Sequence, residues 1–328
     1  MFYVQSTALP SSMTALVYDQ FGGPDVLALR NVPLPEIGPN EVLMRLDAAG
    51  LGPWDTELRE GRWATGKERF PLIPGTDGAG CVAAVGASVQ RFSPGDRVFA
   101  YRFANPSGGF HAPFVAVDEA YVAFVPDQLD SVTAGALPTV GLTALQGIET
   151  HLGVREGDDV LILGATGGVG ILAVQFACQA GARVLATASG ADGAALVERL
   201  GAHASFDPRR DDPREAARAF APEGLTAVLA NAGGPALAQI AQILGPDARV
   251  AVPSGVRDLP AFAPGQLKEY SATASPETFE RLTTAWKRLQ IILPLAHVYE
   301  LSQAHAAFSA LERGGVRGKL AFRFPHPH

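Results

Sequence analysis

The residues best suited to chemistry lie in one short run, Gly164-Ala165-Thr166-Gly167-Gly168-Val169-Gly170. Glycines at this density let backbone N–H groups approach a pyrophosphate closely. A helix that starts inside the run adds partial positive charge at its N-terminus. The spacing G-x-x-G-x-x-G is looser than the dinucleotide fingerprint G-x-G-x-x-G. Its context carries the argument. Val160 to Leu163 precede it as a buried apolar strand, and Val169, Leu172, Ala173, Phe176 and Ala177 follow at helical spacing. The competing interpretation is a glycine-rich strand-to-helix turn that holds no nucleotide.

Three further groups belong to the same chemistry. A dinucleotide fold that selects NAD ends its second strand on an acid that holds the ribose 2′-hydroxyl. Here that strand, Arg183 to Ser189, carries Ala188 at the acid position, followed by Ser189. Without the acid a 2′-phosphate meets no repulsion, and the Ser189 hydroxyl can donate to it. Arg209, and beside it Arg210, supply guanidinium groups suited to a phosphate, or else belong to a solvated loop. Asn231 and the pair Pro253-Ser254 follow the fourth and fifth strands, and strand C-termini line the ligand crevice of an open α/β sheet. NADPH is therefore expected ahead of NADH.

The elements that position these residues change character along the chain. Residues 13–125 show strand candidates at 41–48, 79–86, 96–100 and 112–117, separated by turn signals such as Gly38-Pro39-Asn40 and Pro94-Gly95-Asp96. From 126 onward helices and strands alternate. Helices are expected at 131–149, 168–180, 191–200, 212–220 and 235–244. Strands are expected at 159–163, 182–187, 204–206, 226–230 and 248–252. Alternating units of this kind imply a parallel, doubly wound sheet with right-handed crossovers. A helix at 276–289, a strand at 291–293, a helix at 302–313 and a strand at 318–324 complete the pattern.

Composition narrows the function class. The 328 residues suffice for two domains, with 47% hydrophobic and 18% charged side chains. A net charge of −7 argues against nucleic acid as a partner. Cys81 and Cys178 form no disulfide framework or zinc pattern, which fits a reducing cytoplasm. Residues 1–12 lack both Lys/Arg and a long apolar core, so they read as a flexible extension or an alternative start, not as a signal peptide or membrane span.

Five blocks carry a family likeness: Ala15 through Leu27, Pro71 through Val82, Phe92 through Val98, Leu137 through Ala144, and Val316 through Leu320. They resemble an opening strand and turn, a P-x-x-P-G-x-D-x-A-G-x-V signature, a G-D-R-V turn, a helix facing the nicotinamide, and a closing G-K-x-V strand. Together they resemble the medium-chain dehydrogenase/reductase superfamily, in its zinc-independent quinone oxidoreductase (zeta-crystallin-like) branch. The resemblance implies an α/β chain with a GroES-like β-barrel-type substrate domain over 1–125. A doubly wound parallel-sheet Rossmann domain would follow over 126–265, and a tail over 266–328 would return to the first domain.

The same resemblance assigns roles. Thr139 would face the nicotinamide. Gly52, Trp54, Asp55 and Phe110 would line the substrate pocket, with Asp55 read as the N-cap of a helix at 56–60. The family asparagine of N-x-x-D is replaced by Gly52, and the lysine and tyrosine common in NADPH-using members by Gly193 and Pro208. Asp77 reads as a backbone-holding residue and His111 as a packed one. Zinc-dependent members place ligands where this chain has Ala49 to Trp54 and Gly75 to Asp77, which carry neither cysteine nor histidine. The histidines at 111, 151, 203, 297, 305, 326 and 328 show no metal spacing. No general acid is identified. The expected activity is zinc-independent hydride transfer from NADPH to a quinone or enone, driven by orientation and proximity. The alternatives are an alkenal/enoyl C=C reductase and an NADPH-binding redox sensor. A cytoplasmic homodimer is expected, paired through an edge strand at 248–252.

Overall fold

The computed structural model describes residues 9–289 and 291–325. Most of the expected N-terminal extension, together with His326 and His328, lies outside them. Two compact units form: Met1–Pro138 with His297–Gly314 and Leu320–His328, and Thr139–Ala296 with Gly315–Lys319.

The first unit contains β1 (Ser12–Val17), β2 (Ala28–Pro33), β3 (Glu41–Leu51), β4 (Asp77–Val85), β5 (Arg97–Tyr101), β6 (Phe114–Asp118) and β7 (Val122–Phe124). Short helices α1 (Pro53–Arg59) and α2 (Ser131–Ala136) accompany them. β1 and β2 form a separate antiparallel pair. Strand β3 is the centre of the larger sheet, pairing antiparallel with both β4 and β6. Its burial follows from its residues: Val42, Leu43, Met44 and Leu46 are all essentially inaccessible. Met13, Ala15 and Val17 of β1 pack with Leu43, Phe114 and Ala116 in one apolar cluster, the period-2 alternation of half-buried strands.

The second unit contains β8 (Asp159–Leu163), β9 (Arg183–Thr187), β10 (Ala204–Phe206), β11 (Ala227–Ala230), β12 (Arg249–Pro253) and β13 (Leu267–Tyr270). They make a parallel sheet in the order β10-β9-β8-β11-β12-β13. Helices α3 (Pro138–Leu145), α4 (Gly168–Gln179), α5 (Gly190–Arg199), α6 (Pro213–Phe220), α7 (Pro235–Ala241) and α8 (Pro276–Leu289) complete it. Val160, Leu161 and Ile162 are fully buried, as expected for a strand covered on both faces. Each such side chain contributes about 1.5–3 kcal/mol of transfer free energy. Beyond this unit come β14 (Leu295–Glu300), α9 (Ala304–Arg313) and β15 (Lys319–Arg323), and β14-β15 extend the first sheet beside β3.

Five expectations need correction. The units divide at Pro138 rather than at 125/126. The reason is α2, where a Cβ on Gly135 would meet the Ala48 carbonyl oxygen at 2.5 Å, so this helix is packed onto β3. The helix expected at 131–149 is three pieces: α2, α3 and a π-helical turn over Gln146–Leu152. Pro138 interrupts it because proline lacks the N–H that continues a helix. The returning segment starts at His297, not 266, because β13 and α8 stay with the parallel sheet. No strand forms at 291–293; β14 forms just after it. Finally, β12 is an interior strand, and the edge is β13. Four residues reading Leu-Lys-Glu-Tyr gave no apolar run from which to recognise a strand.

Candidate functional site

The glycine run folds as a turn between β8 and α4 at the C-terminal end of the parallel sheet. Gly164 takes φ +69°, which an L side chain disfavours. Its N–H donates to Thr187 Oγ1 at 2.8 Å, tying the turn to the end of β9. Gly170 allows the helix to close on the turn: a Cβ there would collide with the Gly164 carbonyl oxygen and lie 2.6 Å from Ala165 Cα. Gly167 is the N-cap of α4 and contributes no side chain to accept from the first-turn N–H groups. A twelve-residue helix thus starts without a side-chain cap, an arrangement complementary to an anion.

Other expected residues gather around this turn. Asn231 follows β11, and its Nδ2 donates to the Leu163 carbonyl at 3.1 Å. Its Oδ1 is buried and has no hydrogen-bond partner among the described residues. A buried acceptor of that kind fits a ligand that brings a donor. Thr139 is buried at the start of α3, where its carbonyl accepts from the Thr143 hydroxyl at 2.7 Å. The next residue, Val140, reaches the Gly168 Cα, since a Cβ there would meet Val140 Cγ1 at 3.0 Å. Pro253 closes β12. The exposed Ser254 hydroxyl accepts from Ser271 at 2.9 Å.

The end of β9 differs from expectation. Ser189 is the N-cap of α5, but its hydroxyl makes only a 3.4 Å bond to Asp207 Oδ1. Arg209 is occupied: Nε and Nη2 each donate at 3.1 Å to the Asp207 carboxylate. That carboxylate also accepts from Gly190 N at 3.0 Å. The Arg209 guanidinium holds the Asp207 carboxyl well below the usual carboxylate range. An acid therefore reaches this pocket from β10 although β9 ends without one. Its signal in sequence is weak, because Asp207 lies 18 residues beyond Ser189 and only the parallel pairing of β9 with β10 brings them together.

The segment Gly315–Lys319 is a second feature that sequence did not assign to this site. Gly318 N donates to the Thr166 carbonyl at 2.8 Å and Gly318 bridges Gly167. Lys319 is buried, with its Cδ 3.3 Å from where a Cβ on Gly168 would lie. Arg317 Nη2 donates to the Ser189 carbonyl at 3.0 Å, and Nη1 to Asp192 Oδ2 at 3.1 Å. A cavity of about 650 Å³ elsewhere in this unit is lined by residues such as Arg218, Leu225 and Asp247. It lies at the N-terminal ends of β11 and β12 and contains none of the turn residues.

In the first unit, Gly52 rather than Asp55 is the N-cap of α1. Helix α1 starts at Pro53 with Gly52 as N-cap, and Asp55 Oδ2 reaches back to accept from Gly52 N at 2.8 Å. Asp55 is thus the third helical residue, its carboxylate satisfying the N–H of the N-cap residue, and not the cap itself. Trp54 is half-buried; its Nε1 donates to Thr76 Oγ1 at 2.8 Å. Its ring covers Gly52, whose Cβ would lie 2.6 Å from Cε2. A side chain at Gly52 would have to displace this ring. Phe110 is fully buried against Gly78 of β4, so it belongs to the core rather than to a pocket wall. His111 is also buried; Nε2 lies 2.9 Å from the Gly50 carbonyl, and the ring packs edge-on to Phe308 and Phe322. Glu57 accepts from the Trp63 indole at 2.9 Å. Burial raises both thiols, Cys178 to about 11. No group of three or more His, Cys, Asp or Glu is placed to hold a metal among the described residues, and no helix there is long and apolar enough to cross a membrane.

Residues 38–127 match the Alcohol dehydrogenase GroES-like domain family, and residues 168–281 match the Zinc-binding dehydrogenase family. The chain is 38% identical over 202 residues to the quinone oxidoreductase of Lama guanicoe, covering 61% of this chain and 59% of that protein. It thus spans less than two thirds of that relative. It is 31% identical over 303 residues to the 2-methylene-furan-3-one reductase of Solanum lycopersicum, covering 87% and 78%. A solved NAD-dependent alcohol dehydrogenase superposes with a TM-score of 0.87 at 30% identity, covering 95% of this chain and 100% of that one.

Proposed function

Because this chain belongs to the medium-chain dehydrogenase/reductase superfamily, in its zeta-crystallin-like branch, we propose that it is an oxidoreductase that reduces a quinone or an α,β-unsaturated carbonyl with NADPH. The observation that carries this is the side-chain-free start of α4, set between Gly164 and the buried Asn231 acceptor. A bound nicotinamide cofactor supplies the hydride. The chain's own residues bind and orient. The α4 N-terminus and glycine turn receive the pyrophosphate, and Asn231 Oδ1 accepts from a donor on the nucleotide. Ser189 and its neighbours receive the adenosine ribose. NADPH is favoured by Ala188, which leaves β9 without an acid, and by the guanidinium groups beside Ser189, while the Asp207 carboxylate is already paired with Arg209. Zinc independence is supported by Gly52, Pro53, Trp54 and Thr76, which offer no thiolate or imidazole, and by the nearby His111, which is buried with Nε2 against the Gly50 carbonyl.

A quinone accepts hydride readily and can take its proton from water, which suits a site with no assigned general acid. The tomato relative, named for an enone substrate, favours C=C reduction as the second activity. A redox-sensing role would show as nucleotide binding without turnover. Two free cysteines fit a cytoplasmic location. A homodimer would cover the outer edge of β13, which has no neighbouring strand in the sheet order. Fluorescence titration with NADPH and NADH, followed by 340 nm turnover with quinone and enone panels, tests the proposal. Oxidation of NADPH only on adding acceptor is the expected result. Failure to bind either nucleotide would overturn it.

A further inference from the structure

Two arginines approach the end of β9, and the structure distinguishes them. Arg209 is locked by two side-chain bonds to Asp207, a carboxylate that also caps Gly190 N at the start of α5. Releasing Arg209 would take the counter-ion from that carboxylate and leave it to the Ser189 hydroxyl and the Gly190 and Arg209 N–H groups. Arg317 is held differently. Its backbone is fixed because the next residue, Gly318, is bonded to Thr166 of the glycine turn. Its Nη2 donates to the Ser189 carbonyl at 3.0 Å, which places the guanidinium beside the β9–α5 turn. Its one anionic partner among the described residues is Asp192, whose side chain is 87% exposed. Exposed pairs of this kind contribute little and exchange readily. A guanidinium carries five N–H donors, and those of Arg317 beyond these two bonds have no protein acceptor among the described residues.

We propose that Arg317 is the residue that distinguishes a nucleotide bearing a 2′-phosphate from one bearing a 2′-hydroxyl, a reading that rests on the nucleotide site proposed above. The Ser189 carbonyl orients the guanidinium, and Asp192 is the counter-ion that the phosphate replaces. Fork-shaped donors match a phosphate in a way that one ammonium does not. Asp207, fixed nearby with Arg209, is neutralised in advance and so does not cancel the attraction. The determinant therefore comes from the segment before β15, about 125 residues from the β9 turn it serves.

The test uses two probes that differ only in the 2′-phosphate: adenosine 2′,5′-bisphosphate and adenosine 5′-monophosphate. Both are titrated calorimetrically into the full-length wild type, Arg317→Ala and Arg209→Ala. Wild type is expected to prefer the bisphosphate. Arg317→Ala should weaken bisphosphate binding about tenfold or more, in line with loss of charge-assisted bonds, and leave the monophosphate unchanged. Unchanged monophosphate binding also shows that the variant is folded. Arg209→Ala should alter the preference less than Arg317→Ala. A preference that survives in Arg317→Ala, or that is lost in Arg209→Ala instead, overturns the inference while nucleotide binding stands. Equal wild-type affinity for the two probes does the same. If wild type binds neither probe, nor NADPH or NADH, the nucleotide site itself is refuted.

Discussion

Gly170 and Gly167 lie three residues apart and carry different constraints. A methyl group at Gly170 would meet the Gly164–Ala165 backbone, with Ala165 Cα at 2.6 Å, and backbone cannot yield as a flexible side chain can. Gly170→Ala should cost about 1–3 kcal/mol through overpacking and weaken nucleotide binding as the turn opens. Gly167 has a φ of −83° and its nearest atom, the Gly164 carbonyl oxygen, at 3.5 Å. Gly167→Ala should change stability by less than about 1 kcal/mol, the scale of a glycine-to-alanine exchange at an N-cap. It should still impair nucleotide binding, because the added methyl group stands at the mouth of the helix. Urea melts with a parallel titration would separate the two. Equal destabilisation by both would contradict the constraint assigned to Gly170. The glycine turn was legible in sequence, since φ and close approach are set by local residue type. The contact of Asp207 with Ser189 and Gly190 was not, because it depends on which strand lies beside β9.

At the scale of elements, Arg249 shows how β12 is joined to the start of the parallel sheet. From the beginning of β12 it donates to the Leu152 and Gly153 carbonyls at 2.7 and 2.9 Å, and to Asp158 Oδ2 at 2.7 Å. Burial works to raise the Asp158 carboxyl, but the Arg249 bond and the Arg155 N–H hold it below its ordinary value. A depressed carboxylate stabilises the fold above its unfolded pKa of about 3.9. That contribution is lost as pH falls through the lower folded value. Asp158→Asn should therefore lower the thermal midpoint at pH 7 and narrow the gap to wild type at pH 3. A gap that is constant across this range would rule out the linkage. The elements themselves were mostly readable from apolar period. The break at Pro138 was misjudged because the apolar pattern continues through it, from Ala134 to Leu145, while the backbone does not.

For the whole molecule, the position of β13 decides which surface is available for assembly. Val250 N donates to the Gln266 carbonyl, and Ser254 N to that of Tyr270, so the even-numbered residues turn toward β12. Glu269 then directs its N–H and carbonyl outward, since both groups of a strand residue point to the same side. Glu269→Pro should remove one outward donor and leave the ladder to β12 in place. Sedimentation equilibrium is expected to show a dimer for wild type and a shift toward monomer for the variant, with nucleotide affinity retained. A variant as dimeric as wild type would place the interface elsewhere. The β12 edge inferred from sequence would have directed this substitution to a strand that is paired on both sides.

Local residue types determined the glycine turn, the apolar strands feeding it, and the alternating helices and strands. All of these follow from side-chain chemistry within a few positions. Tertiary structure alone decided that Asp207 meets Ser189 and the start of α5, that Phe110 is core, and that Gly315–Lys319 docks on the glycine turn. These depend on strand order and on a chain that leaves one unit and re-enters it. Such neighbours are separated by tens to more than a hundred residues, a range over which sequence periodicity carries no information about proximity.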